Sequence, residues 1–114
     1  MPEHLSLYRA STFWSRLCGL YSLPALSFHQ GLYIAPCRAI HSVAMRYPID
    51  VVFLDKNLNE LKRVDGLLPY RIVTCWHALA VVELHAGYCQ RYPDYLARIR
   101  QALLSVSVPS GRVG

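Results

Sequence analysis

The alternation of apolar and polar residues predicts a series of short strands. Residues 5–10 alternate in this way and are predicted as an opening strand, and residues 31–34 are predicted as a second strand that ends before Pro36. Residues 51–54 are apolar at every position and rich in β-branched and aromatic side chains, which is typical of a central strand covered on both faces. The first half of the chain is therefore predicted to be mainly β.

The pattern continues in the second half of the chain. Residues 55–59 form a polar turn before a partner strand at 60–68, so this region is predicted as a β-hairpin. The apolar residues 79–84 are predicted as a further strand, which Gly87 closes. Several short strands separated by turns favour a compact antiparallel arrangement that curls or packs on itself.

Two segments show helical spacing instead. Ser11 is a candidate N-cap of a short helix that reaches residue 20, and residues 96–104 repeat apolar side chains every three or four positions. The predicted fold is therefore mainly β (α+β): a small antiparallel β-sandwich or curled barrel with a short N-terminal helix and a C-terminal helix. We predict a single compact domain over residues 1–104. Residues 105–114 lack a burial pattern and are predicted to be a flexible C-terminal tail.

The composition is that of a domain with its own core. The chain has 114 residues, of which 54% are hydrophobic and 17% charged. No window of about 20 uninterrupted apolar residues is present, and the start of the chain has no signal-peptide pattern. We therefore expect a cytoplasmic protein without a membrane span. In that reducing compartment the four cysteines are expected to be thiols: Cys18, Cys37, Cys75 and Cys89.

The formal net charge of +5 permits an acidic partner but does not identify one. The aromatic residues include eight tyrosines that could stack on bases, yet the basic residues are scattered, and only Lys62 with Arg63 and Arg98 with Arg100 form clusters. The sequence therefore argues against a nucleic-acid partner. It also contains no glycine-rich loop of the kind that binds phosphates.

Soft metal ligands occur at intervals of four residues in the middle of the chain. Cys37, His41 and Met45 would suit Cu(I), or zinc if Cys75 and His77 joined them. The spacing matches no standard zinc module, and methionine and cysteine commonly fill cores. We therefore expect no metal and no cofactor.

Two acids stand where a charge is costly. Asp50 and Glu83 lie within apolar segments, and an unpaired buried carboxylate would destabilise the fold. Two interpretations stay open. One is a cleft in which Asp50 or Glu83 acts as acid or base with assistance from His41 or Cys37. The other is a structural network in which Arg46 and His41 are the partners of the acids. The candidate pocket or buried polar cluster consists of Cys37, His41, Met45, Arg46, Asp50 and Glu83.

The central segment also resembles a known family. Residues 37–55, CRAIHSVAMRYPIDVVFLD, look like the hallmark stretch of domain-of-unknown-function family 192, an uncharacterised prokaryotic family, and residues 16–20 and 82–87 extend the likeness on both sides. The resemblance covers roughly residues 5–90 and implies a small, mainly β fold of the sandwich or curled-barrel type. It implies no activity.

Two departures from that family pattern concern the ends of the chain. Many relatives close with a Gly-Asp turn and a last strand, whereas here residues 92–94 lead into helical spacing, so we predict that a helix covers the final sheet edge. Many relatives also carry an export signal that this sequence lacks. Taken together, the residues favour a non-enzymatic binding or accessory module for an unknown ligand or protein partner. The alternatives are a small enzyme and a metal- or nucleic-acid-binding protein.

Overall fold

A computed structural model describes residues 4–10, 27–41 and 47–113 of the chain. For Ala10, His41 and residues 105–113 it describes the backbone alone. The described part contains seven strands and two helices. They are β1 (Ser6–Ala10), β2 (Gln30–Ile34), β3 (Ala39–His41), β4 (Ile49–Leu54), β5 (Glu60–Leu67), β6 (Ile72–Thr74), β7 (Ala80–His85), α1 (Tyr88–Arg91) and α2 (Tyr95–Val113).

The strands form two sheets. The large sheet has the order β1-β2-β7-β4-β5, and the small sheet pairs β3 with β6. The mainly β class predicted from the sequence is confirmed. The large sheet is mixed rather than antiparallel throughout, because β1 pairs with β2 in parallel while its other pairs are antiparallel. It is not closed into a barrel.

The most apolar strands lie in the interior of the large sheet. Every residue of β4 is buried, and β7 is buried from Ala80 to Leu84. β7 occupies the middle of the sheet and β4 lies beside it, so the prediction that residues 51–54 belong to a strand covered on both faces is confirmed. The hairpin of β4 and β5 is confirmed as well.

A separate hydrophobic core covers each face of the large sheet. On one face, called the helix face below, Val52 and Val82 pack with Ile99 of α2. On the other face, called the small-sheet face, Val51 and Val81 pack with Ile40 of β3, and Val73 of β6 adds to this core. Side chains on a strand alternate between faces, so successive residues of β4 and β7 contribute to the two cores in turn.

The helices lie at the carboxyl end of the chain. The short helix α1 is absent from the predictions. The longer α2 begins at Tyr95, close to the predicted start, and its backbone stays helical to Val113, past the predicted end at residue 104. The division into a domain of residues 1–104 and a flexible tail stays a prediction. The predicted N-terminal helix after Ser11 lies outside the described residues.

None of the helices in the described residues is long and apolar enough to cross a membrane. The predicted absence of a membrane span agrees with this finding, and the predicted cytoplasmic location stays a prediction.

Gly31 is predicted to tolerate no larger side chain. A Cβ at this position would lie 2.7 Å from Leu84 Cδ2, 2.8 Å from Leu7 Cδ2 and 2.9 Å from the Glu83 carbonyl oxygen. Because the carbonyl belongs to the neighbouring strand, Gly31→Ala must shift backbone as well as side chains. We expect it to lower the free energy of unfolding by about 1–3 kcal/mol, measured by urea denaturation.

The exposed Ser6, on the adjacent strand, provides the control for this measurement. Ser6→Ala should change the stability by less than about 0.5 kcal/mol. An equal effect of the two substitutions would show that close packing at Gly31 is unimportant.

Candidate functional site

Asp50 joins separate elements of the fold through its hydrogen bonds. It is completely buried on β4, and its carboxylate accepts hydrogen bonds from three backbone N–H groups. Oδ1 accepts from Gly66 at 2.8 Å, and Oδ2 accepts from Gly87 and from Cys89 at 3.1 Å each. One side chain thereby connects β4 to β5 and to the start of α1.

The backbone at these donors explains why two of them are glycines. The register of β4 and β5 shifts between Ile49 and Val51, so Asp65 and Gly66 together oppose Asp50 in a β-bulge. Gly66 has φ 62° and Gly87, the N-cap of α1, has φ 91°. Glycine adopts these left-handed conformations without a steric penalty, and they leave N–H groups that Asp50 satisfies.

Glu83 lies on the opposite face of the sheet from Asp50. In register, Asp50 pairs with Leu84, which belongs to the helix-face core, whereas Glu83 pairs with Val51, which belongs to the small-sheet core. Paired residues on neighbouring strands share a face. The sheet therefore separates the two acids that the sequence suggested as partners.

The environment of Glu83 differs sharply from that of Asp50. Glu83 is 5% exposed, and its Oε1 has no hydrogen-bond partner in the part of the chain that the structure describes. Burial raises the pKa of Glu83 to about 7. Burial away from water disfavours the charged form of a carboxyl group, so this acid titrates near neutral pH.

The other residues of the predicted cluster are described to different extents. Cys37 is buried in the small-sheet core, the face that also carries Glu83, and its thiol donates to the Ala39 carbonyl at 3.2 Å. His41 ends β3, where its backbone pairs with Ile72. Met45 and Arg46 lie outside the described residues. Because the sheet separates Asp50 from Glu83, the predicted cluster is divided between two faces, and the grouping of the other four residues beside either acid stays a prediction.

One group of side chains in the described residues has the spacing of a metal site, but its chemistry does not suit a cation. Ligand atoms of Asp50, Asp65 and Cys89 lie within 4.8 Å of one another. Both oxygens of Asp50 already accept N–H groups, and Asp65 pairs with Arg63 at 2.9 Å. Burial, followed by the nearby Asp50 carboxylate, raises the pKa of the Cys89 thiol, which disfavours the thiolate that binds metals.

The cysteines and the predicted basic clusters make internal contacts. None of the three described cysteines forms a disulfide.

The Arg63 guanidinium lies 5.1 Å from the ring centre of Tyr95, and that of Arg98 lies 4.0 Å from the ring centre of Tyr92. Arg100 donates to the Leu58 carbonyl. These arginines stabilise the contacts of α2, which reduces their availability for a nucleic acid.

An exposed apolar surface lies on and beside β6, and the sequence predictions do not include it. Tyr70, Ile72 and Trp76, called the β6 patch below, are 74%, 72% and 73% exposed. Val73 and Cys75 between them pack inward on the small-sheet core. A sequence signal was present, because large apolar residues alternate with inward ones here in a segment without acids. Large aromatic residues at this exposure are typical of interaction surfaces rather than of cores.

The architecture is therefore that of a small two-sheet domain in which the buried Asp50 links several elements and the β6 patch leaves large apolar side chains exposed. The model of DUF192, uncharacterized ACR, matches residues 2–93. The chain belongs to this family, as the resemblance of its central segment indicated.

Two solved structures share this fold. A protein of unknown function from Novosphingobium aromaticivorans DSM 12444 is 20% identical, with a TM-score of 0.67 over 77% of this chain and 69% of that chain. A protein from Sinorhizobium meliloti 1021 described as "a putative transcription regulator" is 18% identical, with a TM-score of 0.68 over 76% and 73%. None of the curated proteins matches the sequence. These similarities show the fold alone.

The hydrogen bonds of Asp50 yield a prediction about stability. Asn has nearly the same shape but only one acceptor oxygen, so Asp50→Asn places an amide NH₂ against backbone donors. We expect a loss of about 2–4 kcal/mol in the free energy of unfolding, measured by urea denaturation. Asp94→Asn, which alters a 60% exposed partner of Arg98, should cost less than about 1 kcal/mol. Equal losses in the two variants would argue against the central role of Asp50.

The raised pKa of Glu83 yields a prediction about pH. Because the folded pKa of about 7 exceeds the ordinary value of 4.5, the folded state binds more protons than the unfolded state between these pH values. Stability should therefore fall by roughly 3 kcal/mol as the pH rises from about 4.5 to about 7. Glu83→Gln cannot ionise and should remove most of this dependence in urea unfolding measured across the range.

A second glutamate on the neighbouring hairpin provides the control. Glu60→Gln alters an exposed residue of β5 and should leave the pH dependence unchanged. If Glu83→Gln retained the full pH dependence, a different group would be responsible.

Proposed function

We propose that this protein is a non-enzymatic binding module that contacts a protein partner through the β6 patch. The observation that carries the proposal is the exposure of Tyr70, Ile72 and Trp76 on and beside one strand of the small sheet. Tyr and Trp are the residue types that most often dominate the binding energy of protein interfaces. The inward residues of the same strand belong to the core, so the patch is held on a packed support.

The arrangement of the acids favours binding over catalysis. An acid–base mechanism with Asp50 and Glu83 would need both groups in one cleft, yet the sheet lies between them. The Asp50 carboxylate accepts hydrogen bonds from three backbone N–H groups, which suits a structural role. Asp50 therefore acts as a structural residue in this proposal.

A small enzyme that uses Glu83 alone is the second candidate. The pKa of about 7 suits a general acid or base, since proton transfer is most efficient when the pKa lies near the working pH. The 5% exposure of Glu83 weighs against access by a substrate. This candidate therefore ranks below the binding module.

A nucleic acid is a third possibility, raised by the description of one structural neighbour as a transcription regulator. The two basic clusters give little support to a nucleic-acid partner, because their side chains are engaged within the protein. Lys62 contacts Thr74 and Arg63 contacts Asp65. Arg98 contacts Asp94 and Arg100 contacts Leu58. A protein partner agrees better with a patch that includes an aliphatic side chain between two aromatic ones.

Photo-crosslinking in cells tests the proposed function. A photoreactive phenylalanine analogue at position 70 should give a covalent adduct with one discrete protein, identified by mass spectrometry. The same analogue at Tyr8, an exposed tyrosine of β1, is the matched control and should give no such adduct. Trp76→Ala in the position-70 protein should reduce the yield by about tenfold, because a central aromatic residue often contributes about 2 kcal/mol or more to an interface.

Three outcomes would contradict the proposal. They are equal adducts from positions 70 and 8, the absence of any adduct from position 70, and an adduct that nuclease removes. Insensitivity to Trp76→Ala would equally count against the β6 patch as the contact surface.

A further inference from the structure

We propose that the outer edge of β6 accepts an extended, acidic segment of the partner protein as an added strand. This inference rests on the proposed function and specifies the chemistry of the partner. Three features support the inference: the outward-pointing backbone N–H and C=O groups of β6, the positive charge at its outer edge, and the exposed side chains of the β6 patch.

The register of the small sheet determines which backbone groups point outward. The Cys75 N–H donates to the Arg38 carbonyl at 2.8 Å, and the pairs Thr74–Ala39, Val73–Ile40 and Ile72–His41 follow in sequence. Hydrogen-bonded and non-hydrogen-bonded pairs alternate in an antiparallel ladder. The N–H and C=O groups of Ile72 and Thr74 therefore point away from β3.

A side chain contact supports this assignment independently. Lys62 of β5 donates from Nζ to the Thr74 carbonyl at 3.0 Å, which agrees with a carbonyl that points away from β3. The other outward groups, the Thr74 N–H and both backbone groups of Ile72, have no hydrogen-bond partner among residues 4–10, 27–41 and 47–113. An extended chain laid beside β6 would satisfy them, as in recognition by β-strand addition.

The charges around this edge favour an acidic occupant. No acid occurs in the sequence between Asp65 and Glu83, and the Lys62 ammonium group lies at the edge itself. A second copy of the chain would bring the same positive charges, and the net charge of +5 makes this pairing less favourable. A lysine across an edge strand also protects it against non-specific pairing. An added strand would displace the Lys62 ammonium group from the Thr74 carbonyl, and a carboxylate on that strand would pair with the displaced ammonium group.

The β6 patch adds the apolar component. Side chains of an added strand alternate between its two faces, so its apolar residues can lie along Ile72 and Trp76 while its acidic residues alternate with them. The occupant is therefore an extended segment in which acidic and apolar residues alternate.

Binding of a synthetic peptide tests this inference. The probe is a short fluorescein-labelled peptide of alternating glutamate and valine, and its affinity for the full chain is measured by fluorescence anisotropy. We compare it with the same peptide carrying lysine for glutamate, and with the same acidic peptide N-methylated at alternate backbone amides. Both changes should weaken binding by about tenfold or more, because one reverses the charge and the other removes the backbone donors.

Variants of the protein make the complementary change. Thr74→Pro removes the outward N–H, whereas Thr74→Val retains it, so proline should abolish binding and valine should preserve it. Lys62→Glu should weaken binding of the glutamate peptide and strengthen binding of the lysine peptide. Circular dichroism establishes whether each variant is folded, and if Thr74→Pro is unfolded, the N-methylated peptide decides the question.

The outcomes distinguish this inference from the proposed function. Equal binding of the acidic and N-methylated peptides would exclude strand addition. Preference for the lysine peptide, or tighter binding of single-stranded polyuridylate than of any peptide, would overturn the acidic partner. If the position-70 crosslink forms in cells but the acidic peptide does not bind, the inference fails while the proposed function stands. Peptide binding without a crosslink would instead contradict the proposed function.

Discussion

The rest of the structure depends on one buried carboxylate. Asp50 sits at a point where a bulge in β5 and the beginning of α1 both present backbone N–H groups that secondary structure leaves unsatisfied. A buried donor without a partner would destabilise the fold, and so would a buried carboxylate without donors. The hydrogen bonds between the Asp50 carboxylate and these N–H groups satisfy both the donors and the acceptor. The direction in which α1 leaves β7, and hence the entry into α2, follows from this arrangement.

Two acids with similar burial thus have opposite consequences. Asp50 receives several donors, and its contribution is to hold separate elements together. Glu83 lies on the reverse side of the same sheet with an Oε1 that no described residue contacts by hydrogen bonding. The difference arises from strand alternation, because neighbouring pairs along β4 and β7 point to opposite faces. A sequence cannot distinguish these situations until the register is known.

The sequence predicted the long or strongly apolar strands correctly. Residues 51–54 and 79–84 are apolar over enough positions for burial to determine their structure. The strands β3 and β6 were missed because each has three residues, too few to show a period, and their pairing is formed between distant parts of the chain. The apolar neighbours of Asp50 predict its burial, whereas the sequence suggests charged side chains as its partners and the structure supplies backbone N–H groups. A backbone N–H group is present at almost every residue, so the sequence does not show which ones bind a carboxylate. Glycine at positions 66 and 87 indicates only that the backbone turns there.

The two faces of the large sheet differ in what covers them. The family model ends at residue 93, and α2, which buries Ile99 and Leu103 against the helix face, begins at Tyr95. The small sheet, by contrast, lies wholly within the part of the chain that the family model matches. Part of the helix-face core thus lies beyond the matched region, whereas the whole small sheet lies within it. A change in the residues of α2 would therefore alter the cover of the helix face and leave the packing of the small sheet as it is, because no α2 side chain that the structure describes belongs to the small-sheet core.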